Sequence, residues 1–216
     1  MLTLDESGIA AALIVGVLII VFAGQMWIFF ISAMLLFLLL SAIVTVLGER
    51  QKIRIGFYQK PRGWKNVAAN AAVPVVITMI YFLNAWAKVI NPDVIVVSYI
   101  ASLGALAADK FASEIGILGP KPLSLLTMRP AKRGVSGAVT LLGFAAGMLG
   151  SFMMSIALYQ MGNFAYFAVI IVASGTIGNI VDSIFGYYEE KGYGSKYTSN
   201  IMCALAGWIS CLAMLL

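Results

Sequence analysis

Forty consecutive residues, 8–47, carry no charged side chain. As one helix they would measure about 60 Å at 1.5 Å per residue, twice the roughly 30 Å hydrocarbon core of a bilayer. The run is therefore two crossings, and Gly24-Gln25 near its middle is where the chain is expected to turn. Lipid offers no partner for a backbone N–H or C=O, so spanning segments of this length and uniform apolarity must be helices. Asp5 and Glu6 precede the run where a signal peptide would carry basic residues, so it is expected to remain as a helix.

The rest of the chain repeats the pattern. Further apolar stretches are expected as helices at about 65–86, 93 to beyond 108, 136–158, 164–186 and 200–216. The first run gives helices at about 9–23 and 27–47, so the reading is an all-α polytopic transmembrane bundle of about seven helices. No Pro/Ser-rich linker divides it, and residues 1–216 form a single membrane domain. Hydrophobic residues make up 62% of the chain and charged ones 11%, about half the charged share of a soluble domain.

Charge orients the bundle. Arg50, Lys52, Arg54, Lys60, Arg62 and Lys65 follow the second helix. Lys110, Lys121, Arg129, Lys132 and Arg133 follow the fourth, and Lys191 and Lys196 the sixth. Of the 14 basic residues only Lys88 falls on the other side. The positive-inside rule makes the basic side cytoplasmic, with the N-terminus inside and the C-terminus outside an integral cell-membrane protein. The net charge of +5 is thus accounted for by loops facing anionic lipid, and no nucleic-acid partner is expected. Cys203 and Cys211 share the last apolar run and read as packing residues. The chain has no histidine, which removes the commonest general base and transition-metal ligand.

Three polar constellations lie on the cytoplasmic side. Asp109 and Ser113, four apart, share a helix face, with Lys110 and Glu114 beside them. Asp182 and Ser183 follow the glycine-rich Gly175-Thr-Ile-Gly178-Asn179. A carboxylate at mid-membrane costs about 2.5–3.5 kcal/mol, which marks both aspartates as functional candidates; the competing reading is a capping or snorkelling group at the interface. The second constellation is Arg129-Pro-Ala-Lys132-Arg133-Gly134-Val-Ser136-Gly137-Ala-Val-Thr140. Ser136 is the expected N-cap of the next helix, and a helix N-terminus flanked by cations suits phosphate, although basic residues here also simply set topology. Third, Asn66, Asn70 and Pro74 recur every four residues, presenting amides to a ligand or to neighbouring helices. Carboxylates that hold Mg²⁺ beside cations that hold phosphate are the minimal set for phosphoryl chemistry.

At these stretches the sequence resembles the integral membrane family of phytyl-phosphate kinases and its transmembrane relatives. The family pattern is Asn-x-x-x-Asn-Gly, then Gly-Asp-Thr-x-Ala-Ser-Glu-x-Gly, Gly-x-x-Gly-x-Val-Thr and Gly-x-x-Gly-x-x-x-Asp-Ser. The chain answers with Asn66 and Asn70, with Asp109-Lys-Phe-Ala112-Ser113-Glu114-Ile-Gly116, with Gly134-Val-Ser-Gly137-Ala-Val139-Thr140, and with Gly175 to Ser183. The match falls within 60–200, with Ala71, Ala108 and Lys110 departing from it.

The resemblance implies transfer of a phosphoryl group from a nucleoside triphosphate, CTP favoured, to an isoprenoid monophosphate at the cytoplasmic face. Asp109, Glu114 and Asp182 would hold Mg²⁺ (or Mn²⁺), with Asp109, Lys132 and Asp182 catalytic. Asn66, Asn70, Lys110, Ser113, Lys121, Arg129, Arg133, Ser136, Gly137, Thr140, Gly178, Asn179 and Ser183 would bind the lipid phosphate and nucleotide. A CDP-lipid-forming cytidylyltransferase would use the same residues, and a lipid-phosphate transporter or a non-catalytic membrane protein is the reading from another class. The topology is testable directly: a reporter fused after Leu216 should register outside the cell, and a cytoplasmic signal from intact cells contradicts it.

Overall fold

The computed structural model describes residues 4–47, 49–54, 56 and 63–216. It is mainly helical: α1 (Glu6–Ala23), α2 (Trp27–Val46), a short α3 (Glu49–Arg54), α4 (Trp64–Ala87) and α5 (Pro92–Gly116). Two-residue strands β1 (Leu123–Ser124) and β2 (Ala138–Val139) follow, then α6 (Leu141–Ser155), α7 (Phe164–Glu189) and α8 (Lys196–Leu215). Six stretches among the described residues are long and apolar enough to cross a membrane. The first of them, Glu6–Val46, is 41 residues long and is itself two helices. They part at Gly24, whose φ of 54° only glycine adopts freely, followed by one 3₁₀ turn.

Caps set the other ends. Asp5 Oδ1 accepts from the Gly8 N–H at 2.8 Å to start α1, Asn91 and Pro92 start α5, Thr140 starts α6 and Ser195 starts α8. At the far end, Asn84 closes the α4–α5 turn, accepting from the Val89 and Ile90 N–H groups beside the left-handed Lys88.

α5 is the axis of the bundle, surrounded by α2, α4, α6, α7 and α8 and almost wholly buried. Its run Ala101-Ser-Leu-Gly104-Ala105-Leu-Ala107-Ala108 is apolar on every side and small enough for backbones to approach. A Cβ added at Gly178 of α7 or at Gly207 of α8 would lie 2.5 Å from the Ala105 Cβ, so three helices converge on that methyl. On the opposite side Gly143, Gly147 and Gly150 of α6 lie against carbonyls of Ala112, Ala108 and Ala107. Nearer the far end, Tyr99 donates to the Phe30 carbonyl at 3.0 Å within a cluster with Tyr81.

Several boundaries differ from the expectation. The helix expected from 136 begins at Leu141, because Gly134 and Gly137 take φ of 77° and 78° and residues 138–139 pair with 123–124. The cap is consequently Thr140, not Ser136: its hydroxyl accepts from the Gly143 N–H and donates to the Gly116 carbonyl, both at 3.0 Å. The last helix starts at Lys196, four residues early, and α3 was not anticipated. Lys60 and Arg62 lie outside the described residues.

Close packing on α5 yields a stability test. Gly207→Val should lower the thermal midpoint in detergent, as overpacking costs about 1–3 kcal/mol. Gly162→Ala, where a Cβ meets nothing within 4 Å, should leave it unchanged.

Candidate functional site

The register of α5 and α7 brings Asp109 and Asp182 to the same level at the basic end of the bundle, 8% and 5% exposed. Two carboxylates so placed repel unless a cation joins them, and the cation is Lys196 from the first turn of α8. Its Nζ lies 3.0 and 2.9 Å from the two Asp182 oxygens and 3.3 Å from Asp109 Oδ1. Ser195, as N-cap, fixes the turn that aims it there. Ser113 completes the group, donating to Asp109 Oδ1 at 3.2 Å. Lys196 thus offsets part of the mutual repulsion of the two carboxylates.

A cleft of about 370 Å³ opens on one side of this group, between the end of α5, the start of α6, α7 and the α5–α6 connection. Asp109, Ser113, Asn179, Asp182, Ser183 and Lys196 line its inner wall, and Arg133 to Thr140 its outer wall. The outer wall is held to α7 by glycines: a Cβ at Gly137 would lie 2.6 Å from the Ser183 carbonyl, and one at Gly186 would lie 2.6 Å from the Gly137 nitrogen. The Ser136 N–H donates to Glu190 Oε1 at 2.9 Å, and its hydroxyl to Glu189 Oε2 at 3.4 Å.

On the other side lies a smaller chamber of about 260 Å³ between α2, α4, α5 and α8. Asn70 Nδ2 donates to the Asn66 carbonyl and side-chain oxygens at 2.9 and 3.1 Å, and Asn200 Nδ2 donates to Asn70 Oδ1 at 3.1 Å. Glu114, 1% exposed, pairs with both Lys110 and Lys52. Asp109, Ser113 and Lys196 border the cleft and the chamber alike, so they form the partition between them.

The sequence-derived residues therefore divide. Asp109, Asp182, Ser113, Asn179, Ser183, Arg133, Ser136, Gly137 and Thr140 meet in the cleft, while Asn66, Asn70, Lys110 and Glu114 meet in the chamber. Lys121, Arg129 and Lys132 are exposed on the α5–α6 connection and border neither cavity. Gly178 likewise borders neither, being pressed against Ala105 and the Cys203 carbonyl. Ser136 and Gly137 offer no helix N-terminus for phosphate, because α6 begins four residues on and the Ser136 N–H already faces a carboxylate.

Glu114 does not join the two aspartates. Five residues on from Asp109, it is turned about 140° round α5 and taken up by two lysines. Among the described residues no group of three or more His, Cys, Asp or Glu side chains is placed to hold a metal ion. The oxygen donors at the partition nonetheless suit a hard cation: two carboxylates, with Asn200 Oδ1 buried without a hydrogen-bond partner among the described residues. Asp109 and Asp182 are the residues that would hold such a cation.

Lys196, Asn200, Lys52, Glu189 and Glu190 were not singled out from sequence. Lys196 and Asn200 are four apart after a serine cap, a spacing that puts them on one helix face without saying what that face meets. Lys52, Glu189 and Glu190 carried no such signal.

Comparison with known proteins agrees with this architecture. The profile of the integral membrane protein family DUF92 matches residues 1–208. The uncharacterized membrane protein MJ0933 of Methanocaldococcus jannaschii is 30% identical over 210 residues, covering 95% of this chain and 83% of its own. The Synechocystis membrane protein sll0875 is 27% identical over 188 residues, covering 83% of this chain and 69% of its own. The chloroplastic protein VTE6 of Arabidopsis thaliana is 25% identical over 202 residues, covering 91% of this chain but only 60% of its own. No solved structure matches. The resemblance drawn from the motifs holds at the level of the family, and with a profile that takes in nearly its whole length the chain belongs to the integral membrane protein family DUF92.

Proposed function

We propose that the protein is a membrane-embedded transferase that moves a phosphoryl group from a nucleoside triphosphate, CTP favoured, to an isoprenoid monophosphate, giving the diphosphate at the cytoplasmic face. The observation that carries this reading is the partition. Two polar cavities meet at Asp109, Ser113 and Lys196, so two phosphorylated substrates can approach one cationic group from opposite sides. In-line transfer needs that geometry and a field that neutralises the equatorial oxygens, more than it needs covalent help from the protein.

The cleft receives the nucleotide in this scheme, with Arg133 reaching its phosphates. The chamber receives the acceptor phosphate, against Lys110 and the Asn66, Asn70 and Asn200 amides. An acceptor oxygen attacks the γ-phosphorus, the bond from that phosphorus to the bridging oxygen breaks, and the nucleoside diphosphate leaves. A monophosphate is already anionic at neutral pH, so no histidine is required as base. Lys196 stabilises the charge that spreads over the transferred group, and Asp109 and Asp182 hold Lys196 in place. Mg²⁺, or Mn²⁺, bound by Asp109 and Asp182 would supply further neutralisation of the phosphates. The motifs shared with the phytyl-phosphate kinases support the choice of an isoprenoid acceptor and of CTP. The basic connections support the cytoplasmic side.

With purified protein, Mg²⁺, CTP or ATP and a series of prenyl monophosphates, the expected product by mass is the prenyl diphosphate. A CDP-prenyl product, or no product from any pair, overturns the reading. Asp109→Asn, Asp182→Asn and Lys196→Met should each lower turnover by about 10²–10³. Arg133→Ala should weaken nucleotide binding by about 1.5–3 kcal/mol, as expected for a charged hydrogen bond, whereas Lys132→Ala should not.

A further inference from the structure

A third cavity, apolar where the other two are polar, lies between α1, α2 and α4 and has a volume of about 330 Å³. Val15, Gly16, Ile31, Leu35, Leu38 and Ala71 are among its lining residues. Along α2 its lining runs from Ile31 to Thr45, about 21 Å of helix. Phe37, Asn66 and Asn70 border both this groove and the polar chamber, so these three side chains stand between the apolar space and the one that holds Lys110 and Asn200.

We infer that this groove seats the single hydrocarbon chain of the lipid substrate, its phosphate passing between Phe37 and the Asn66–Asn70 pair into the chamber. An apolar groove side by side with a polar chamber fits an amphipathic molecule with one tail and one anionic head, and no water-soluble nucleotide. Ser41 strengthens the assignment. It lines the groove one turn from Phe37, is 8% exposed, and its Oγ has no hydrogen-bond partner among the described residues. A hydroxyl buried in this way could donate to an oxygen of the head group. The location also suits a lipid, because among the described residues α1 packs chiefly on α2 and α4, and Leu13, Ile14, Val17 and Val21 are exposed. A chain lying along α2 with its head at the basic end keeps the orientation it has in the inner leaflet and need not leave the membrane.

The inference rests on the transfer reading for the nature of the head group, but its test is separate. Gly16 lines the groove, and a Cβ added there meets nothing within 4 Å, so a side chain can be introduced without a clash at its first carbon. Gly16→Phe should raise KM for geranylgeranyl phosphate at least ten-fold while sparing CTP binding and turnover of dimethylallyl phosphate. A geranylgeranyl phosphate with a diazirine near the end of its tail, photolysed in nanodiscs and mapped by mass spectrometry, should label α1, α2 or α4 near Gly16 and Leu35. Excess unlabelled geranylgeranyl phosphate should compete that label away. Labelling on α7 or α8, labelling that does not compete, no labelling, or an unaltered KM in the variant overturns the assignment. Competed labelling in the groove with no diphosphate formed from any nucleotide upholds the seat and refutes the transfer reading instead.

Discussion

Within a bilayer, helices gain nothing from leaving lipid for one another; what holds them is close van der Waals contact and the few polar bonds that span the gap. This protein meets that constraint through α5, whose alanines and glycine let α6, α7 and α8 approach to backbone distance. Ala105 is the tightest point, met by Gly178 and Gly207 from two sides. Asp109 lies one helical turn further along α5 than Ala105, and Asp182 one turn further along α7 than Gly178. The contact that welds the three helices therefore also forces the two carboxylates together.

Everything electrostatic at the site follows from that enforced proximity. Two buried carboxylates side by side must acquire a cation, and α8, locked to α5 through Gly207, delivers Lys196 at the same level. One turn on, a second group repeats the logic with the charges reversed: Glu114 stands between Lys110 and Lys52, linking α5 to the short helix after α2. Breaking either group by removing one member would leave a buried charge uncompensated, which is far costlier than the pair is stabilising. The groups fix the registers of α3, α5, α7 and α8 at the basic end, and they leave polar cavities on both sides of a charged wall. The wall is what the proposed chemistry uses, with a donor on one face and an acceptor on the other.

Much of this was legible in the sequence. An uncharged run of forty residues cannot be one crossing, and basic residues after every second helix leave little choice about which ends lie together. The aspartates stood out because a carboxylate is expensive where lipid begins. Asn66 and Asn70, at a spacing of four, had to share a face. These conclusions rest on helical periodicity, hydropathy and charge, all of which act within a segment.

Only the tertiary structure decided which groups face one another. Lys196 reads in sequence as one more loop cation, and its position between two aspartates depends on how α8 lies against α5 and α7. Glu114 belongs to the same motif as Asp109, yet a separation of five residues on a helix turns it towards a different neighbour. Gly137 and Gly178 look alike as glycines in binding motifs. One clasps the α5–α6 connection to α7 and the other admits Ala105, and neither role is visible without the partner backbone. The apolar groove beside Gly16 is likewise a product of three helices meeting, since no single segment encodes an empty space. Sequence sets what each helix is made of and which way it crosses; the contacts between helices, being non-local, set what the crossing builds.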